Sequence, residues 1–465
     1  MKLLKSNIRW VALIVCALFA SLIAYGAFSI TTQGQRWFAS SANTYLRRTK
    51  SNVIPGNIVD RNNVLLARSD EAGKRVYSSD PEVRKAVVHA VGDNRGNIAY
   101  GAETFMSNYL FAYNESYPER LVQALRGVKR RGNDIRLLID STLSKKIAAL
   151  FPRGKSGAVI VMNYRTGEIL SLQSFPNYDP MTLSQSDKEN PQKPFWNRAT
   201  MWGSAPGSVF KVVTLASALR NIPDAENKIY ECNGALVVGD TQITDAHNAS
   251  HGPINLKKAL TVSCNIAFAQ AALELGDANL KKTAADFGIG DYFLFSDLVV
   301  QNSEYPGVNR IPKELAWTGA GQSRLQITPL HMAMIASSIA NDGMMMEPRL
   351  LLDVTSGAGQ SRFDFFAKEY KRVMDKRTAD IIADYMQETV RRGTATGASV
   401  AGLKIAGKTG SSQIDGQKET NAWFIGFIDD SRYPFAACVA VEDGGSGGSV
   451  AAPVAREIFK YLSGK

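Results

Sequence analysis

Ser208 and Lys211 stand three residues apart in Ser208-Val209-Phe210-Lys211, after Ala205-Pro206-Gly207 and before an apolar run through Val212, Val213, Leu215 and Ala216. Pro206-Gly207 marks the start of a helix. Ser208 is therefore expected in the first helical turn, its hydroxyl near the positive end of the helix dipole. Positions three apart share a helix face, which puts the Lys211 amine within reach of that hydroxyl. An amine there can act as the base that turns serine into a nucleophile, provided burial keeps the amine neutral. Taken alone, a surface serine and lysine on a helix give the same pattern. Two further elements change its meaning. Ser263-Cys264-Asn265 follows Lys257–Val262 and precedes the apolar helix Ile266–Leu275. Lys408-Thr409-Gly410 occurs once, inside the strand-like run Leu403–Gln413. Singly, the first could be a helix cap and the second a turn or a bulged edge strand. Their joint presence, order and settings are highly specific.

Positioning these groups takes a sizeable frame. The chain has 465 residues with 45% hydrophobic and 21% charged, enough for two to four domains and unlike a disordered or low-complexity chain. Four cysteines exclude a disulfide scaffold. Lys and Arg number 54 against 43 Asp and Glu, a net charge of +11 that suits an anionic partner such as lipid headgroups or an acidic wall polymer. The excess is spread along the chain without an Arg-rich block, and no nucleic-acid motif occurs.

Residues 11–30, VALIVCALFASLIAYGAFSI, carry no charge and are long enough to span a bilayer as a helix. Lys2, Lys5 and Arg9 precede them, so residues 1–10 are expected in the cytoplasm and the chain from about 31 outside it. A cleaved signal peptide would have a shorter apolar core and a clearer small-residue site. In an oxidising compartment Cys232, Cys264 and Cys438 are an odd set, and free buried thiols are expected rather than a disulfide. Residues 31–50, with Arg47, Arg48 and Lys50, suit a helix rising from the membrane. Ile54–Ala67 reads as a hairpin turning at Asn62-Asn63. Asp134–Asp140 reads as a strand leading into a helix through Leu150. Pro152 and Gly154 place a boundary near 152, giving an N-terminal domain over 31–152 and a large domain over 153–465. In the large domain Ala158–Met162 and Glu168–Gln173 form a hairpin, and a mostly helical middle runs from about 205 to 395. Leu403–Ala406, Ala422–Ile428 and Phe435–Val441 are strands, and Pro453–Leu462 is a last helix. The expected class is α+β: one antiparallel sheet flanked by helices, with a helical subdomain. Gly444–Ser449 lies between a strand and that helix and is read as a loop.

Ser-x-x-Lys, Ser-x-Asn and Lys-Thr-Gly together resemble the penicillin-binding transpeptidases, which share them with serine β-lactamases. The resemblance covers about 155–465. It extends to Gly167-Glu168-Ile169-Leu170, Gly321-Gln322, Thr328-Pro329-Leu330-His331-Met332-Ala333 and Ala422-Trp423-Phe424-Ile425-Gly426-Phe427. Gly56-Asn57-Ile58-Val59-Asp60-Arg61 resembles the start of the class B pedestal, although Pro55-Gly56 stands where that class usually has Arg-Gly. The short pedestal is most similar to the penicillin-binding protein A group. The resemblance implies a peptidoglycan D,D-transpeptidase acting on stem peptides that end in D-Ala-D-Ala and acylated by β-lactams. It implies Ser208 as nucleophile, Lys211 as base, Ser263 and Asn265 as relay and holder, and Lys408, Thr409, Gly410 and Ser411 around the substrate carboxylate. Ser411 departs from the Thr that commonly follows Lys-Thr-Gly. Backbone N–H groups of Ser208 and Ser411 would form the oxyanion hole. About 120 residues between anchor and catalytic domain are too few for a glycosyltransferase beside a pedestal. A separate glycan polymerase, of the SEDS family, and other elongation or division proteins are the implied partners. No cofactor and no nucleic acid is expected.

Other readings leave their own marks. A class A β-lactamase would need a deacylating glutamate, and no Glu-x-x-Leu-Asn segment lies between Asn265 and Lys408. A D,D-carboxypeptidase would use water in place of the acceptor amine; the anchor and pedestal weigh against it. A β-lactam sensor would need a cytoplasmic output module, for which about ten residues are too few. A non-catalytic scaffold would be expected to lose part of the motif set. His247 and His251 have a spacing that binds zinc on a helix, but Asn248, Ser250, Gly252 and Pro253 argue against a helix there, so no metal is expected. Trp196, Trp202 and Tyr178 are expected in the core rather than along a groove.

Overall fold

The computed structural model describes residues 2–38, 53–70, 72–98, 100–112, 125, 130–307, 311–357, 359–413 and 419–465. Arg47, Arg48 and Lys50 lie outside them. The uncharged N-terminal run forms part of one long helix, Lys2–Phe38. Within it Ser6–Ile30 has a mean hydropathy of 2.4, and among the described residues it is the one helix long and apolar enough to cross a membrane.

The catalytic-type domain is built on a five-stranded antiparallel sheet. Its strand order is Ile405–Ser412, Asn421–Ile428, Phe435–Val441, Gly157–Asn163, Ile169–Phe175. Both faces are covered, so the three central strands read as near-continuous apolar runs rather than as alternating ones. Val159 and Val161 face one way, toward Leu143, Ile147, Ile458 and Phe459 of the helices Ser141–Leu150 and Ala452–Ser463. Ile160 and Met162 face the other way, into the core that holds the helix Pro329–Ala340, buried from Pro329 through Ile339. The expected hairpin, the three closing strands and the last helix are all present, although the strand expected over Leu403–Ala406 runs on to Ser412.

The middle is less helical than the sequence suggests. Four short strands, Ile229–Cys232, Ala235–Val238, Thr241–Thr244 and Gly252–Asn255, pair within it. Met344–Met346 pairs with Glu369–Arg372. Leu351–Thr355 and Ser361–Asp364 leave the domain and join strands from before residue 152. The resulting six-stranded sheet runs Ser361–Asp364, Leu351–Thr355, Asp134–Leu137, Ile58–Val59, Leu65–Ser69, Arg75–Tyr77. The boundary expected near 152 is thus crossed by pairing, Leu351 lying opposite Leu137. These strands are two to five residues long, and Leu351–Thr355 pairs with chain more than two hundred residues earlier, so no local turn signal betrays that junction.

Two buried acids hold this junction. Asp60 Oδ1 accepts the N–H groups of Asn62 and Val64, closing the Asn62-Asn63 turn. Its Oδ2 accepts the N–H and hydroxyl of Ser141, fixing the start of the next helix. Asp297 accepts from Arg349 Nε at 2.9 Å and Nη2 at 3.2 Å, and from the N–H groups of Leu350 and Leu351. Arg349 is 1% exposed. Asp297→Ala would strand a buried guanidinium, and breaking a buried pair from one side costs about 3–5 kcal/mol. A loss of that size is expected in equilibrium denaturation of the purified protein.

Candidate active site

The site lies where the Ser208 turn, the Ser263–Asn265 turn and one edge strand of the five-stranded sheet meet. Gly207–Phe210 is a 3-10 turn running into the helix Lys211–Asn221, so Ser208 sits in the first turn, as expected. Gly207 takes φ +63, and a Cβ on it would lie 2.8 Å from Ser411 O. A Cβ on Gly410 would lie 2.8 Å from Pro206 O and 3.1 Å from Val209 N. The nucleophile turn and the Lys-Thr-Gly strand therefore approach through a glycine on each side, the close contact that glycine permits.

Lys408, Thr409, Gly410 and Ser411 occupy the edge strand Ile405–Ser412, opposite Ile425, Phe424, Trp423 and Ala422 of its neighbour. The glycine-rich segment read as a loop passes behind them as a turn, Gly447–Ala451. There Gly447 N–H donates to Ser411 Oγ at 3.3 Å. Ser411 O accepts from the Gln322 amide at 3.1 Å, and Thr409 Oγ1 donates to Thr394 Oγ1 at 2.7 Å.

Ser263 ends the helix Leu256–Val262 in the left-handed conformation, φ 62 and ψ 35. A non-glycine residue held there is backbone strain of the kind found at working sites. It turns both oxygens of Ser263 toward Lys211, whose Nζ donates to Ser263 O at 2.6 Å, to Asn265 Oδ1 at 2.7 Å and to Ser263 Oγ at 3.4 Å. From the other side Lys408 Nζ donates to Ser263 Oγ at 2.9 Å and to Thr409 O at 2.8 Å. One hydroxyl thus joins two lysines that are both 0% exposed. Among the described residues Ser208 Oγ has no hydrogen-bond partner. It opens on a cavity of about 350 Å³ lined also by Ser263, Asn265, Thr394, Thr409, Gly410 and Ser411. A second cavity of about 530 Å³ adjoins it and shares Asn265, Gln322 and Ser411.

Burial pushes Lys211 down to about 8, against the pull of the Asp245 carboxylate. Lys408 is pushed well below the ordinary lysine range, first by burial and then by the charge on Lys211. Two ammonium groups cannot share this site cheaply. The repulsion falls on Lys408, which is itself buried in the sheet edge without a carboxylate beside it.

All eight sequence-derived positions come together here. Thr394, Gln322 and Asp245 join them. Only Gln322 had a sequence signal, as part of Gly321-Gln322; Asp245 and Thr394 had none. Trp202 is core, stacked on Trp423 with ring centroids 5.4 Å apart, and Tyr178 donates to Asp93 Oδ2 at 2.6 Å. Trp196 is 36% exposed and so lies at the surface rather than in the core as expected, and none of the three lines the cavity. Cys232, Cys264 and Cys438 are buried and free of disulfides, as expected. His247 has no described side chain, whereas His251 lies beside Cys232, Asp245 and Cys264.

Residues 157–460 match the penicillin binding protein transpeptidase domain. The peptidoglycan D,D-transpeptidase PbpA of Mycolicibacterium smegmatis is 30% identical over 328 residues, 64% of this chain and 65% of that protein. The peptidoglycan D,D-transpeptidase MrdA of Acinetobacter baumannii is 28% identical over 374 residues, 71% of this chain and 54% of that one. The matches thus span less than two thirds of these relatives' lengths. Penicillin-binding protein A from Mycobacterium tuberculosis, solved as an imipenem acyl-enzyme complex, superposes with a TM-score of 0.80 at 26% identity, over 89% of this chain and 100% of that one.

Proposed function

The chain belongs to the penicillin-binding protein transpeptidase family, and from that premise we propose that it is a serine-type peptidoglycan D,D-transpeptidase. Ser208 attacks the carbonyl of the penultimate D-alanine of a stem peptide. The peptide bond breaks, terminal D-alanine leaves, and an ester forms at Ser208. An amine of a neighbouring stem then attacks the ester, releasing Ser208 and completing the cross-link. The observation that carries this reading is the Ser263 hydroxyl held between Lys211 and Lys408 on the wall of the Ser208 cavity.

A substrate carboxylate beside Lys408 supplies the countercharge that Lys408 lacks. The proton held by the pair moves to Lys408 through Ser263, and Lys211 is left neutral to take the Ser208 proton. Ser263 then passes a proton to the departing amine. Thr409 and Ser411 bind the same carboxylate, and Asn265 the substrate amide. The tetrahedral intermediate's oxygen accepts from the Ser208 and Ser411 N–H groups, which are preorganised by the glycine contacts described above. A β-lactam follows the same path to an ester. Among the described residues no glutamate lines the Ser208 cavity to activate a hydrolytic water.

Residues 11–30 anchor the protein in the cell membrane, residues 1–10 lie in the cytoplasm, and 31–152 form a pedestal for the extracytoplasmic catalytic domain. The protein has no glycosyltransferase activity of its own and works beside a glycan polymerase of the SEDS family. Full-length protein supplied with polymerised pentapeptide glycan is expected to release D-alanine and form cross-linked stems in equal amounts. D-alanine without cross-links would make it a D,D-carboxypeptidase. Neither product, with the fold intact, would make it a scaffold.

A further inference from the structure

Resting on the transpeptidase reading, we infer that Glu314 binds the free side-chain ammonium of the donor stem, on the residue that precedes D-Ala-D-Ala. The enzyme thereby selects donors whose own amine is not yet cross-linked. The site is the cavity of about 530 Å³ that adjoins the Ser208 cavity, where Glu314, Trp317, Gln413 and Thr420 join Gln322 and Ser411 in the wall. The cleft is charged oppositely at its two ends. At one end Lys408, on the edge strand, is the cation that holds the terminal carboxylate. At the other, two carboxylates line the second cavity, Asp245 and Glu314. Asp245 is engaged: its Oδ1 accepts the N–H of Asn265, and its Oδ2 lies 3.2 Å from both Cys232 Sγ and His251 Nδ1. Glu314 Oε2 accepts from Ser323 Oγ at 2.6 Å, and among the described residues Glu314 has no cationic partner. The adjacent Lys313 pairs with Asp240 instead, at 3.0 Å. A stem with a carboxylate at its end and an amine two residues earlier matches this order of charges.

Strand register carries the amine to that cavity. Ile405–Ser412 is the outer strand of its sheet, so its free edge can take an extended peptide as a further strand. The scissile carbonyl then lies at the Ser411 N–H, with the terminal carboxylate toward Thr409 and Lys408. An antiparallel stem in that register carries its preceding residue toward Gln413, advancing about 3.3 Å per residue. Gln413 lines the second cavity together with Glu314.

The carboxylate is held in place before any ligand arrives. Glu314 lies in the first turn of the helix Pro312–Gly319, where the helix dipole favours a negative charge. That helix is tied to the helix of the nucleophile by Thr214 Oγ1, which donates to Gly319 O at 2.8 Å. Just beyond it the Gln322 N–H donates to Trp317 O at 2.9 Å, while the Gln322 side-chain amide donates to Ser411 O. The acid and the substrate strand are thus fixed relative to each other. Trp317 packs against the hairpin that carries Val238 and Ile243 and gives the cavity an apolar wall for the methylenes of an amine-bearing arm.

The test uses full-length protein in detergent and two penicillins whose acyl side chain mimics the stem residue. One side chain ends in a free primary amine, the other in the same amine acetylated. Both acylate the protein irreversibly, so their second-order rates compare binding at this cavity without any turnover. Wild type should react about tenfold faster with the free amine, the scale of one charge-assisted hydrogen bond, and the preference should shrink as salt is raised. In Glu314→Gln, whose amide oxygen can still accept from Ser323, the two rates should be equal. Glu314→Lys should reverse the preference in favour of an arm ending in a carboxylate. Asp240→Asn removes an exposed acid outside the cavity and should keep the preference for the amine. Equal rates on wild type, a preference that survives in Glu314→Gln, or its loss in Asp240→Asn would overturn the site. Equal rates on wild type together with slower aminolysis of the acyl-enzyme in Glu314→Gln would assign the cavity to the acceptor stem instead. Absence of acylation by penicillin G on wild type would fail the transpeptidase reading itself, which is a different result from equal rates for the two arms.

Discussion

Ser208→Ala should abolish covalent capture of a fluorescent penicillin, lowering acylation by more than about 10⁴-fold, the scale on which serine acyl enzymes lose function without their nucleophile. The prediction has to distinguish Ser208 from Ser263, which lies close to two buried lysines. Ser263 Oγ is the acceptor of both Lys211 and Lys408 Nζ groups, which hold its lone pairs and leave it placed to pass protons. Ser208 Oγ is free of such partners and heads a helix, where backbone N–H groups can stabilise the charge that builds on the attacked carbonyl. The substitution should also be benign to the fold. It removes one hydroxyl without orphaning a donor or acceptor, so thermal stability should stay within about 0.5 kcal/mol of wild type. Peptide mass mapping of labelled wild type should place the ester on the peptide that contains Ser208. Label on Ser263 or Ser411, or labelling of the alanine variant at a wild-type rate, would refute the assignment.

The parts of this site that were legible in the sequence are the local ones. Ser208 and Lys211 lie within one helical turn, and the Pro206-Gly207 signal before them is strong. Lys408-Thr409-Gly410 sits on a strand whose apolar neighbours announce it. The five-stranded sheet was legible because its strands are seven or eight residues long and three of them, Gly157–Asn163, Asn421–Ile428 and Phe435–Val441, are almost wholly apolar. What stayed hidden depends on long-range register. The bond from Lys408 to Ser263 spans 145 residues. The strands over 229–255 are four residues each, too short to outweigh the helical pattern around them. Leu351–Thr355 pairs with chain more than two hundred residues earlier, which no local pattern encodes. The left-handed backbone of Ser263 was hidden for another reason. Serine is an unusual choice there, and the conformation is imposed by the helix end and by Lys211 rather than by residue type. The charge state of the lysine pair is not legible either, because sequence does not report that Lys408 is as deeply buried as Lys211.

That buried pair sets the second large effect. Lys211→Arg should lower acylation by about 10²–10⁴-fold, the range for loss of a general base, while reversible binding of a carboxylate ligand at Lys408 persists. A guanidinium keeps the positive charge and the hydrogen bonds to Ser263 O and Asn265, but it does not deprotonate at accessible pH. The wild-type pH profile carries the same argument with a definite sign. Lys211 accepts the Ser208 proton only when neutral, and Lys408 holds the carboxylate only when charged, so the reactive pair carries one proton and the rate must fall once the free pair loses it. With burial holding Lys211 at about 8, the falling limb of the second-order acylation rate should lie there. An unperturbed lysine would put it at about 10.4. The acylation rate at saturating ligand reports the complex instead of the free protein. In the complex the ligand carboxylate stabilises the ammonium at Lys408, so the pair keeps its one proton to higher pH. The limb at saturation should therefore lie above the limb at low ligand. Stopped-flow acylation by a chromogenic cephalosporin between pH 5 and 10 measures both. If the two limbs coincide, the ligand does not redistribute the proton. If Lys211→Arg retains the wild-type rate, Lys211 is not the base, and Ser263 with Lys408 must take the proton directly.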